Sequence, residues 1–134
     1  MKMKAHVLRL VEGNDLRDGI EQYCKNHSIG SACILTCVGC VKELKLRMAG
    51  GKTFLHQIKD YEIVSLVGTI SVDGAHLHFS GSDIDGTTIG GHLTSGTIVN
   101  TTAEIVIMEL DEYHLTREMD ENTGYKELVI RKCN

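Results

Sequence analysis

The sequence predicts an α+β fold, in which a mainly antiparallel sheet is flanked by one amino-terminal helix within a single domain. The hydrophobic pattern has a period of two over most of the chain, and a period of about 3.6 in only one segment. The apolar runs are short and end at glycine-rich or polar turns, and the chain has no proline. One helix-length segment is too few for the repeated crossovers of a parallel sheet, so antiparallel pairing is favoured.

The first elements are a strand and the helix. Residues 3 to 11 alternate as a strand, and Asn14 or Asp15 stands where a helix amino-terminal cap is expected. The helix is predicted from Leu16 to Asn26. Its buried stripe is expected to consist of Leu16, Ile20, Tyr23 and Cys24.

The rest of the chain is predicted to be strands and turns. The strands cover residues 31–38, 41–48, 62–72, the two arms of a hairpin within 75–93, and 97–110; a last hairpin turns at 120–124, and Gly50-Gly51-Lys52 forms a further turn. Segments such as Ile105 to Met108 are apolar on both faces. One helix cannot cover such a sheet alone, so a subunit interface is expected to cover the rest.

Length and composition indicate a small intracellular domain. At 134 residues with 42% hydrophobic residues, the chain has room for one core and is predicted to form one domain over residues 1–134. The amino terminus has no long apolar stretch behind its basic residues, and no segment approaches the roughly 18 apolar residues of a membrane span. We therefore expect a cytoplasmic protein without membrane attachment, in which the five cysteines stay reduced.

The net charge of −4 has the wrong sign for a protein that grips nucleic-acid phosphates over its whole surface. The most basic stretch runs from Lys42 to Lys52 and contains Lys42, Lys45, Arg47 and Lys52 among apolar residues. A half-exposed strand is its simplest interpretation. A local nucleic-acid patch is the alternative.

Three histidines, His76, His78 and His92, are the strongest functional signal in the sequence. His76 and His78 are two residues apart in a strand, so they point to the same face. If the following turn centres near Asp85, His78 lies opposite His92. A bulge at Gly81 or at Gly90-Gly91 would break this register.

Three neutral imidazoles on one face of a hairpin suit a first-row divalent cation, zinc above all. They leave a fourth position for water, a carboxylate or another ligand. The alternative is a polar hairpin face on which three histidines are merely solvated. Asp83 and Asp85 are interpreted as turn formers.

Two other motifs are discounted. The spacing Cys33-x3-Cys37-x2-Cys40 matches some iron–sulfur sites, but Cys33 and Cys37 belong to an apolar strand. Cys37 and Cys40 also lack the following helix that a redox pair uses. Gly51-Lys52-Thr53 lacks the earlier glycine of a phosphate-binding loop. These residues are predicted to be buried thiols and a turn.

In order along the chain, four segments resemble the plants-and-prokaryotes conserved (PPC) domain, which accompanies AT-hooks in plant nuclear proteins. They are Y-E-I-V-S-L-V-G-T-I (61–70), H-L-H-F followed by D-x-D-G and I-G-G-H-L (76–93), T-A-E-I-V-I (102–107), and L-T-R-E-x-D-x-x-T-G-Y-x-E-L (115–128). The resemblance covers nearly the whole chain. It implies an antiparallel α+β fold assembled as a homotrimer, with metal ligands at positions that match His76, His78 and His92.

The resemblance also suggests DNA binding, because family members often carry a provisional label of that kind. The label derives chiefly from plant proteins with a basic R-G-R-P hook, and this sequence contains no such hook. Two hypotheses therefore remain. The first is a metal-binding trimeric module that is regulatory or binds DNA; the second is a metal-dependent enzyme that activates water. For the enzyme, Glu62 or Glu104 would orient an imidazole or act as the base, whereas the alternative is that each caps a strand edge or pairs with a cation.

Overall fold

The chain folds into nine strands and one helix in a computed structural model that describes residues 3–134. The elements are β1 Lys4–Val11, α1 Leu16–Asn26, β2 Ser31–Arg47, β3 Phe54–Gln57, β4 Tyr61–Ser71, β5 Gly74–Ser82, β6 Thr88–Leu93, β7 Ile98–Glu109, β8 Tyr113–Met119 and β9 Lys126–Lys132. Seven strands form one sheet in the order β1-β7-β2-β4-β5-β6, with β3 paired to β2, and β8 and β9 form a separate hairpin. All of these pairings are antiparallel. The predicted α+β class is confirmed.

The helix begins and ends where the sequence pattern predicts. Asp15 is the amino-terminal cap, and its carboxylate accepts a hydrogen bond of 2.9 Å from the backbone amide of Asp18. Leu16, Ile20 and Cys24 are buried against the sheet. Tyr23 is only half-buried, since it lies at the edge of the stripe and stacks on His27 with 4.0 Å between the ring centroids.

The segments predicted as two strands around Gly39 form one strand of 17 residues, β2. Gly39 has a positive φ of 140° at an irregularity in the pairing of β2 with β7. A Cβ atom at this position would lie 2.0 Å from the carbonyl oxygen of Thr102. The glycine therefore lets the strand bend without ending, because it removes the side chain that would clash with β7.

The length and bend of β2 allow it to pair with two strands at different points. Its first part pairs with β4, and its last residues pair with β6 through Leu46 with Leu93 and Arg47 with His92. Because β4, β5 and β6 also pair in sequence, these four strands form a closed cycle. The short strand β3, which was not predicted, pairs with the end of β2 on the edge opposite β6.

The sheet has one face toward the core and one face that is open. The core includes fully buried side chains such as Leu44, Leu46, Ile105 and Ile107. Apolar side chains on the other side are 50–73% exposed, and we call this set the open face: Val7, Leu35, Val38, Val64 and Val67. The predicted excess of apolar surface over what one helix can cover is therefore present.

Cys37 is buried as predicted, whereas Cys33 and Cys40, which were also predicted to be buried, are only half-buried. Burial raises the pKa of Cys37 to about 12 and that of Cys24 to about 11, which leaves little thiolate at neutral pH. Within residues 3–134, no helix is long and apolar enough to cross a membrane. Met1 and Lys2, which belong to the amino-terminal segment predicted to lack an export signal, lie outside the described residues.

Candidate metal centre

The hairpin of β5 and β6 has the register that the sequence predicts. His78 pairs directly with His92, and the ladder continues without a shift to Ser82 opposite Thr88. The bulge that would have turned His92 away is therefore absent from this pair of strands. The irregularity that does occur lies between β4 and β5, beyond the histidines.

Asp83 fixes the turn of this hairpin. Its carboxylate accepts hydrogen bonds from the backbone amides of Asp85 at 2.9 Å and Thr87 at 3.0 Å. The Lys59 ammonium donates a further hydrogen bond of 2.6 Å, which lowers the pKa of Asp83. Asp83 is thus the turn former that the sequence predicts, and the turn it holds sets the register.

The three imidazoles of His76, His78 and His92 form one group, which we call the histidine cluster. Their ring centroids are 5.0 to 5.7 Å apart, and one potential ligand atom from each residue lies within 4.8 Å of the others. His76 and His92 are half-buried, whereas His78 is exposed. The two arms of a regular hairpin hold all three rings on one face.

The surroundings favour the neutral form of two of these rings, His76 and His92. Burial and the nearby charge of Arg47 lower the pKa of His92 to about 4. Burial also lowers the pKa of His76, with a contribution from Arg117. A neutral imidazole is the form that coordinates a metal, so at neutral pH these two ligands need not lose a proton first.

Two arginines beside the cluster were not predicted as site residues. Arg47 pairs with His92 across β2 and β6, and its guanidinium donates to Nδ1 of His92 at 3.4 Å. Arg117, on β8, donates to the hydroxyl of Thr69 at 3.1 Å. Both reach the site through contacts between residues more than 40 positions apart, for which the sequence carries no local signal.

The carboxylates at the site also differ from the candidates named from the sequence. Asp73 and Glu127 line the cavity next to His76 and His92. Glu62 is exposed and pairs with Ser82, at the far end of β5, and Glu104 is exposed opposite Arg9 and Val38. Neither Glu62 nor Glu104 lines the two cavities that contain residues of the histidine cluster.

The basic stretch from Lys42 to Lys52 does not act as one patch. Lys42 forms an ion pair of 3.1 Å with Glu12, and the Lys45 ammonium lies 5.9 Å from the centre of the Phe54 ring. Arg47 points to the histidine cluster instead. The interpretation of the stretch from Lys42 to Lys52 as a half-exposed strand is confirmed as far as Arg47, and Lys52 lies in the turn that follows.

The donor set fits a divalent transition metal. A zinc–nitrogen bond of roughly 2.0–2.1 Å places tetrahedral ligand nitrogens about 3.4 Å apart, and small side-chain rotations would bring atoms within 4.8 Å to that spacing. Three nitrogen donors without a carboxylate suit zinc and its neighbours better than calcium or magnesium, which take oxygen ligands. Among the described residues, the cluster offers three ligands and no fourth.

A protein-family comparison matches residues 1–111 to the Plants and Prokaryotes Conserved (PCC) domain. This is the family named from the sequence motifs. Two curated relatives, each called bifunctional protein GlmU, come from Synechococcus strains and are 37% and 38% identical over 97% and 96% of this chain. The chain spans only about a fifth of their length, 21% and 20% respectively.

Solved structures share the fold over nearly the whole chain. A hypothetical protein from Salmonella has a TM-score of 0.93 at 32% identity, with 98% of this chain and 95% of that chain covered. The metal-containing protein AF0104 from Archaeoglobus fulgidus has a TM-score of 0.78 at 28% identity, with 94% and 93% covered. A protein from Bacteroides thetaiotaomicron with a provisional DNA-binding description has a TM-score of 0.82 at 23% identity, with 96% of each chain covered, and shows the fold alone.

Proposed function

The chain belongs to the Plants and Prokaryotes Conserved domain family, and from that premise we propose that it is a homotrimeric regulatory module that binds a divalent metal ion. The metal is zinc or a similar first-row ion, and its ligands are His76, His78 and His92. This proposal rests on the observation that two paired strands bring three imidazoles together, so that one ligand atom from each lies within 4.8 Å of the other two. AF0104, which is described as metal-containing, has the same fold and supports the proposal.

The proposed metal has a stabilising and a sensing role. An ion held by β5 and β6 cross-links the two arms of the hairpin, which stabilises the folded state by mass action. The three imidazole ligands leave a coordination position for an outside molecule. A ligand that enters this position would change the metal site and the strands that hold it, which is a direct basis for regulation.

Thermal melting with and without zinc tests the metal proposal. We expect zinc to raise the melting temperature of chelator-treated wild-type protein and to leave that of His78→Ala unchanged, because the variant lacks an exposed ligand but keeps the buried core. His56→Ala is the matched control, since His56 is a half-exposed histidine that pairs with Glu43 elsewhere. An equal zinc response in wild type and His78→Ala would refute the cluster as the binding site.

DNA binding is the second candidate for the regulatory role, and it follows from the family's provisional label. A chain with a net charge of −4, in which the basic residues of the 42–52 stretch do not form one patch, is poorly suited to duplex phosphates. We expect weak, sequence-tolerant binding at low salt that becomes negligible at physiological salt. Titration of duplex DNA at two salt concentrations checks this, and tight sequence-specific binding at physiological salt would contradict it.

A metal-dependent enzyme is the alternative from another functional class. A metal with three histidine ligands supplies an activated water when bound. Of the two carboxylates that line the cavity, Glu127 is close enough to His76 to oppose the lowering of its pKa by burial and Arg117. Turnover of a small substrate that is abolished by a chelator and reduced in Glu127→Gln would favour the enzyme over the regulatory module.

A further inference from the structure

A cavity of about 500 Å³ opens beside the histidine cluster, and we call it the arginine cavity. Its lining includes His76 and His92, together with four cationic side chains, Arg17, Arg47, Arg117 and Lys126. Two acidic side chains, Asp73 and Glu127, lie among them. The volume is within the range that holds a small metabolite, and cations outnumber anions two to one.

Besides the exposed Lys126, Arg47 and Arg117 are the members of this set that lack an anionic partner. Both side chains are half-buried, and neither guanidinium lies within 4.0 Å of a carboxylate oxygen among the described residues. Arg17 differs, because it pairs with Glu21 at 3.1 Å and donates to the Ala75 carbonyl at 3.1 Å. The guanidinium of Arg17 therefore already has partners within the fold, whereas those of Arg47 and Arg117 each have N–H donors that are available to a ligand.

The positions of the two guanidinium groups are fixed by different elements. The guanidinium of Arg47 lies 6.0 Å from the centre of the Tyr125 ring and contacts His92 from β2. Arg117 reaches the cavity from β8, where its backbone amide donates to Asp73 at 2.8 Å and its guanidinium donates to Thr69. Two guanidinium groups that different elements hold thus line the same cavity, an arrangement that suits an anion.

We propose that the arginine cavity binds a small molecule through its phosphate group, with Arg47 and Arg117 as the binding residues. A half-buried cation without a counter-ion is unfavourable, and a bound anion removes that cost. A tetrahedral phosphate presents oxygens in several directions and can meet both guanidinium groups, whereas a planar carboxylate satisfies one fork. This inference rests on the proposed metal site in one respect, because a divalent ion with three neutral ligands adds positive charge that further favours an anion.

The same charges predict opposite effects on the two ligands. Arg47 stands against the imidazole of His92, so its charge opposes a cation there and attracts an anion. In phosphate-free buffer, Arg47→Met should bind zinc at least as tightly as wild type. The same variant should bind inorganic phosphate at least tenfold more weakly, because it loses a charge-assisted contact; a tenfold change in affinity corresponds to about 1.4 kcal/mol.

Calorimetric titration of metal-loaded protein with inorganic phosphate tests the proposal. Arg117→Met, which lies on a different element, should also weaken phosphate at least tenfold, whereas the control Arg9→Met, on β1, should bind phosphate like wild type. Malonate in place of phosphate should bind more weakly to wild type. Parallel zinc titrations and thermal melts report whether each variant keeps the metal site and the fold.

The outcomes distinguish this proposal from the proposed function. If zinc fails to bind wild-type protein, the metal module fails, while phosphate binding that depends on Arg47 and Arg117 would still stand. If zinc binds but phosphate affinity is unchanged in both arginine variants, the phosphate site is overturned. Three further results would also overturn it. Wild-type protein could bind malonate more tightly than phosphate, or Arg47→Met could lose zinc together with phosphate. Duplex DNA could also bind in an arginine-dependent way while free phosphate does not bind.

Discussion

His92 of the histidine cluster ionises differently in the folded and the unfolded chain. Burial and adjacent arginines lower the pKa of His92 to about 4, compared with 6.5 for an ordinary histidine. Between these values the unfolded state binds more protons than the folded state. The free energy of unfolding of metal-free protein therefore falls as pH decreases through 6.5 toward 4.

This pH dependence gives the first prediction. We expect metal-free wild-type protein to lose stability between pH 7.5 and pH 5, and we expect His92→Gln to lose clearly less, because glutamine does not titrate. The lowered pKa values of Asp83 and Glu109 act mainly below this range, so they contribute little to the difference. Urea denaturation at the two pH values measures the effect, and equal losses in both proteins would show that His92 is not the responsible group.

Individual residues of the site were predictable where the signal is local. His76, His78 and His92 follow from strand periodicity and one turn, because Asp83 fixes the register between residues only 14 positions apart. Arg47 and Arg117 could not be predicted as site residues, because they reach the histidine cluster only through the pairing of β2 with β6 and the packing of β8. Glu62 and Glu104 were candidates because they are charged residues in apolar strands, but both are exposed and lie away from the histidine cluster.

At the scale of elements, the close approach of β4 to β5 supports the position of His76. Gly68 has a positive φ of 153°, and a Cβ atom there would lie 2.0 Å from the carbonyl oxygen of His76. No flexible side chain can relieve that contact, because the opposing atom belongs to the backbone. The two strands can keep their spacing at His76 only if residue 68 is glycine.

The second prediction concerns this glycine. Gly68→Ala should lower the free energy of unfolding by at least about 2 kcal/mol and weaken zinc binding, because it displaces the backbone of His76. Gly86→Ala is the matched control, since Gly86 also has a positive φ, 77°, but has no atom within 4 Å of the added Cβ. The control should lose about 1 kcal/mol and keep its zinc affinity. Urea denaturation and zinc titration measure both effects; equal losses in the two variants would contradict the account.

Predictions of elements succeeded where periodicity dominates and failed where the backbone departs from regular pairing. The limits of α1 were exact, because an aspartate cap and an apolar stripe at helical spacing act locally. Gly39 suggested a break between two strands, but it is a bulge within β2, and the sequence does not distinguish a glycine that ends a strand from one that bends it. Strand β3 is only four residues long and half-exposed, so its pattern is too short to stand out.

At the scale of the whole molecule, the open face exposes apolar side chains to water, which is unfavourable for an isolated chain. The histidine cluster lies on this side of the sheet, since His78 pairs with Val67 of the open face. We propose that a second and third copy of the chain cover this surface in a homotrimer. The metal site would then lie close to a subunit boundary, where assembly and ligand binding can influence each other.

Assembly is the third prediction. Light scattering at micromolar concentration should give about three times the 14.8 kDa mass of the chain. Val38→Lys and Val67→Lys place charges on the open face and should shift the mass toward that of the monomer. Ile84→Lys serves as the control, because Ile84 is 95% exposed on the hairpin turn and should leave the mass unchanged. A monomeric wild-type mass would refute the trimer.

Elemental analysis of the purified protein is the most direct test of the central claim, which is that His76, His78 and His92 together hold one metal ion. We predict about one zinc or similar first-row ion per chain in wild-type protein and in the control His56→Ala. Each of His76→Ala, His78→Ala and His92→Ala should lose the ion, because two remaining ligands leave a much weaker site. Retention of the metal in all three cluster variants would contradict the account.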